Sequence, residues 1–86
     1  MFVHIGNNII IKQEDIIGIY NIKAIKNTNE YINIINNLKE KNKLIKKENT
    51  EENTLIITEK SKEIKGYVTN ISSVTIEKRL KNTTFN

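Results

Sequence analysis

Three short apolar runs open this chain, set apart by one turn and one charged joint. They are Phe2-Val3-His4-Ile5, Ile9-Ile10-Ile11 and Ile16-Ile17-Gly18-Ile19-Tyr20. β-Branched and aromatic residues dominate each run, and such residues suit a pleated surface better than a helix. Gly6-Asn7-Asn8 stands between the first two. Gly and Asn tolerate the positive φ that tight turns need, so Phe2–Ile5 and Ile9–Ile11 are expected to pair as a hairpin. Asp15–Lys23 is expected as a third strand. Its Ile17, Ile19 and Asn21 share one face, and Ile16, Gly18, Tyr20 and Ile22 share the other. Both faces are apolar, which implies cover on both sides. This is more apolar surface than one small core face uses.

The period changes at Thr28. Tyr31, Ile34, Ile35 and Leu38 fall at i, i+3, i+4 and i+7, the stripe of an amphipathic helix over Thr28–Lys43. These four are expected inside, with Asn33, Asn37 and Lys41 outside. Asn27 or Thr28 caps the start, Glu30 lies in the first turn, and Lys39, Lys41 and Lys43 oppose the helix dipole at the end. Residues 46–53 form a polar loop. Leu55–Thr58 then reads as a buried strand, Glu59–Glu63 as a charged turn, and Ile64–Thr69 as a last strand with Gly66 as a candidate bulge. Ser72 or Ser73 caps a second helix. Ile71 and Ile76 form its hydrophobic staple, and Ile76 and Leu80 its stripe. The order β-β-β-α-β-β-α describes an α+β fold: a small single domain, a β-hairpin plus further strands with two helices.

Eighty-six residues make one domain. It is expected over residues 1–81, with a polar tail over 82–86 that frays. A chain this short builds a modest core. It has no Cys, so neither disulfides nor thiolate metal sites reinforce it. A partner subunit is the remaining way to bury more surface. No run is long enough to span a bilayer, and no signal peptide is seen, so the expected compartment is the cytoplasm.

The net charge of +4 points towards an anionic partner. Ile, Asn and Lys supply 45 of the 86 residues, however, and their codons are rich in A and T. Part of the basicity is therefore a coding effect. Phosphate contact needs only cations on one face and accepts Lys as a point charge.

Catalytic groupings are not found. His4 is the single histidine, and metal sites usually need three or four ligands. Ser72-Ser73 reads as a helix cap rather than a nucleophile, since no base and orienting partner are marked. Glu51-Glu52 reads as a solvated turn. The three glycines are isolated, so no phosphate-cradling loop exists. No enzyme activity, cofactor, metal or small-molecule substrate is expected.

Phe2-Val3-His4-Ile5-Gly6, then Asp15-Ile16-Ile17-Gly18-Ile19-Tyr20 and Lys23, resemble the start of the extracellular matrix regulatory proteins, the RemA/RemB-like family of spore-forming bacteria. Leu55-Ile56-Ile57-Thr58 and Ser72-Ser73-Val74-Thr75-Ile76-Glu77-Lys78-Arg79-Leu80 also fit, and the likeness is closer to the RemB branch. The resemblance implies a DNA-binding regulator of biofilm-matrix genes, a LytTR-like fold and ring-shaped homo-oligomers. Such proteins carry Arg near the positions held here by Glu14 and Asp15. RemA-like members also carry Arg near the positions of Thr50, Glu51 and Glu52. Acidic groups there repel phosphate. Lys12 is expected to compensate at the first site, as it falls on the same strand face as Glu14. Lys46 and Lys47 are expected to compensate at the second. Lys12, Lys46 and Lys47 are thus the candidate DNA contacts, with double-stranded DNA of AT-rich promoter regions as the expected partner. The alternative is a non-enzymatic oligomeric scaffold or protein-interaction module that has lost DNA binding.

Overall fold

A computed structural model describes residues 1–84. Strands β1 (Phe2–Gly6) and β2 (Ile9–Lys12) form an antiparallel pair of their own. Asn7 and Asn8 join them with φ of 56° and 63°, the pattern of a type I′ turn. Gly6 has φ of 97°, at a register shift where it opposes Ile9. A Cβ at Gly6 would stand 2.4 Å from Thr69 Oγ1, so both the backbone and the space require glycine.

After a short 3₁₀ turn at Gln13–Asp15, the chain enters β3 (Ile16–Asn21). The third strand is shorter than expected. Ile22 and Lys23 belong to a one-turn helix, α1 (Ile22–Ile25), because Asn21 Oδ1 accepts from the Lys23 amide at 3.1 Å and caps it. Helix α2 follows at Asn29–Glu40, and Thr28, not Asn27, caps it by accepting from the Tyr31 amide at 3.2 Å. Asn42, at φ of 57°, ends α2: its amide donates to Lys39 O and that of Lys43 to Leu38 O. That reversal delivers β4 (Leu44–Ile45), a strand the sequence did not announce. Strands β5 (Thr54–Lys60) and β6 (Glu63–Thr69) complete the second sheet, and α3 spans Ser73–Thr84. Helix α3 runs past Lys81, so residues 82–84 of the expected tail are helical, while 85–86 lie outside the described residues.

The larger sheet has the order β3-β5-β6-β4, antiparallel except for the parallel β4–β6 pair. Alternation along the central strand β5 builds two cores. Leu55 and Ile57 pack with Val68, Ile22 and Leu38 under α2. Ile56 packs on the other face with Val3, Ile5 and Ile11 of the hairpin and Ile76 of α3. The α+β class stands, as three layers: α2, the sheet, and the hairpin with α3.

Three expectations change. In α2 only Leu38 is buried; Tyr31 and Ile35 are half-buried, and Ile34 is exposed. Asn33, Asn37 and Lys41 do lie outside. Gly66 is no bulge, since β5 and β6 pair in continuous register through it. Its missing side chain admits Leu38, whose Cδ1 a Cβ at Gly66 would approach to 2.5 Å. The bulge sits in β3 instead, between Ile16 and Gly18. It puts Ile16 and Ile19 towards one core and leaves Ile17 exposed at the sheet edge.

At the second helix, Ser72 is the cap, its Oγ accepting from the Thr75 amide at 3.2 Å. Ile71 and Ile76 then meet at the same core, as a staple requires.

Candidate nucleic-acid interface

Lys12 closes β2 on the outward face of the hairpin, where Phe2 lies opposite it in register. Its Nζ stands 6.0 Å from the Phe2 ring centroid, within cation–π reach. The same face carries Phe2 and Ile10, 61% and 52% exposed. Glu14 is not on that strand: it lies in the 3₁₀ turn, and the shared face expected for Lys12 and Glu14 does not form. Glu14 pairs with the Met1 ammonium at 3.1 Å. A backbone hydrogen bond first, and that ammonium second, hold its carboxyl below the usual carboxylate value.

At the loop before β5, Lys46 Nζ donates to Glu52 at 2.9 Å, and this contact raises the lysine above its ordinary value. Lys23 Nζ donates to Glu51 at 3.0 Å, and the bond from Lys23 lowers that carboxyl. Lys47 is exposed, and its carbonyl accepts from Thr50 Oγ1 at 2.9 Å. Of the acidic residues near the expected Arg positions, Glu14, Glu51 and Glu52 each have a cation of their own, while none of these ion pairs includes Asp15. Lys46 and Glu52 stand near Tyr31 of α2, whose hydroxyl is pushed up by burial first and by Glu52 second. Lys12 belongs to the hairpin layer. The three candidate lysines of one protomer do not form a single cluster.

Two other groups were not legible as positioned features. Arg79 of α3 donates to the His4 carbonyl at 2.8 Å, tying the last helix to the first strand. The sequence presented Arg79 only as one more surface cation. A groove of about 580 Å³ opens beside α2 and is lined by residues from Tyr20 to Ile64. Among the described residues, no group of three or more His, Asp or Glu stands together as a metal site, and no helix is long and apolar enough to cross a membrane. No family model matches the chain, and no curated protein matches it.

Proposed function

We propose that this chain is a DNA-binding regulator of matrix genes, acting in the cytoplasm as a ring-shaped homo-oligomer. It holds AT-rich promoter DNA mainly through phosphates. The observation that carries the reading is the outward face of the hairpin. Phe2 and Ile10 are exposed there beside Lys12, which forms no salt bridge among the described residues and acts on Glu14 only as a weak, more distant charge. A second copy covers the apolar pair, and the assembly repeats the cation. Linked weak contacts then gain affinity through effective concentration. The RemA/RemB-like resemblance of residues 1–23 supports the same reading. The ion pairs at Glu14, Glu51 and Glu52 lessen the repulsion of phosphate that those residues otherwise cause. Lys12 and Lys47 carry the contacts; Lys46 contributes less, since Glu52 holds it.

The test is fluorescence anisotropy on labelled AT-rich duplex, beside light scattering for mass. Binding falls steeply as salt rises, because counterions are released with each phosphate contact. Lys12→Glu weakens binding and leaves the mass unchanged. A monomeric mass at micromolar concentration removes the ring. A stable oligomer with no DNA binding at low salt selects the scaffold reading. That reading draws on Lys23 and Lys46 being already engaged by the loop's own acids.

A further inference from the structure

Helix α2 covers only part of its face of the sheet. Leu38 stands over Gly66, but the floor between α2 and β3 is left open, and this forms the groove of about 580 Å³. That volume is in the range of about 300–1,000 Å³ typical of small-molecule sites. Ile34 on α2, Tyr20 on β3 and Ile64 on β6 line it while 38%, 40% and 46% exposed, and Ile57 is part of its apolar lining. The turn at Ser61–Lys62 borders it as well.

Charge is unevenly placed around this apolar floor. Lys41, Lys43 and Lys62 line the groove, with Glu63 as its single acid. Glu63 is engaged by Lys43 and, at 3.9 Å, by Lys65. Lys41 and Lys62 have no acidic partner among the described residues. Lys62 also has φ of 68°, a conformation that favours Gly or Asn.

We propose that the groove binds an anionic amphiphile, a medium-chain carboxylate. Its chain lies along Tyr20, Ile34 and Ile57, and its carboxylate sits between Lys41 and Lys62. The apolar floor does not suit a phosphodiester backbone. A second copy seated here by a two-fold axis would set lysine against lysine. This inference stands apart from the DNA reading, because it uses none of that reading's residues.

The probe is decanoate below its micelle concentration, titrated into the full chain by calorimetry, with decanol as the uncharged control. Decanoate binds saturably, and decanol about tenfold more weakly or less, the weight of a contact to a charged group. The pair Lys41→Glu and Lys62→Glu lowers decanoate affinity about tenfold or more on the same ground. Ile34→Glu abolishes binding while circular dichroism shows the fold kept, since Ile34 is exposed. Lys62→Gly separates site from fold: it weakens decanoate and raises the melting temperature. Three results overturn the proposal. They are no saturable decanoate binding, equal binding by the lysine variants, or a drop in oligomer mass with Ile34→Glu, which would make a second copy the occupant.

Discussion

Two hairpins in this molecule turn in the same way and stand on different footings. Asn7-Asn8 joins β1 to β2, and Ser61-Lys62 joins β5 to β6; all four residues have φ between 53° and 68°. Asn tolerates that region because its short polar side chain can hydrogen-bond locally, whereas Ser and Lys have no such ease there. The first hairpin has a favourable turn and a glycine beside it, but it is a two-stranded sheet with one face outward. The second has the poorer turn, yet Thr54–Thr58 are buried in sequence, with a core on each face. Burial on both faces tolerates strain at the turn. A ribbon covered on one face depends on its turn residues.

The largest test of that contrast is the centre of the sheet. Leu55 is fully buried under α2, and Leu55→Ala is expected to cost about 3–5 kcal/mol in denaturant melts. A loss below about 1 kcal/mol would mean that the core under α2 collapses freely around the change.

Gly6→Ala comes next. It meets both the positive φ and the Thr69 hydroxyl, so about 2–4 kcal/mol is expected. Hydrogen exchange should show the first hairpin opening well before the second. If both open together, the two hairpins are one cooperative unit and the comparison fails.

Repairing the second turn should go the other way. Ser61→Asn with Lys62→Gly is expected to stabilise the protein by about 1 kcal/mol, read as a higher denaturation midpoint. Asn7→Ser with Asn8→Lys should destabilise the first hairpin by a similar amount or more. Equal effects at the two turns would show that burial does not govern the tolerance.

The smallest effect is electrostatic. Glu63 begins β6, and the bond from Lys43 lowers its carboxyl below the ordinary glutamate value, with Lys65 adding less. A lowered folded-state pKa gives stability that is present above the unfolded value and lost as pH falls through the folded one. Melting temperature should therefore dip slightly on acidification through the carboxylate range, and less so in Lys43→Ala. An NMR titration of Glu63 that stays at the ordinary value in both proteins would remove the pair from the account.

Much of this fold was legible because residue type and period spoke together. Gly6-Asn7-Asn8, the all-apolar Leu55-Ile56-Ile57 and the Ile71-Ser72 entry to α3 each carry a local signal that the tertiary structure keeps. The misses have physical causes. Two residues are too few to show a strand, so Leu44–Ile45 went unseen; its pairing is with β6, far along the chain. Ile22 looked like a strand residue because its neighbours were, but the Asn21 side chain started a helix there. The Tyr31–Leu38 period predicts a wholly buried stripe, yet the helix lies across part of the sheet: Leu38 is buried, Tyr31 and Ile35 pack half-buried against the same core, and Ile34 is exposed. The candidate lysines were visible as charges, whereas the pairing of Lys46 with Glu52 and of Lys23 with Glu51 depends on loop geometry. The groove joins residues from Tyr20 to Ile64, and no local pattern announces such a union.

The bond from Arg79 to the carbonyl of His4 bears on the order in which the chain can assemble as it is made. The core beneath α2 draws its buried residues from positions 22 to 68, so all of them are made before α3. The other core needs Val3 and Ile5 from the first strand and Ile76 from the last helix. Val3 and Ile5 are made about 70 residues before Ile76. The first hairpin lacks the α3 side of its core until Ile76 has been made. A released chain truncated after residue 72 should therefore hold a protected central sheet while its opening strands are more readily cut by protease.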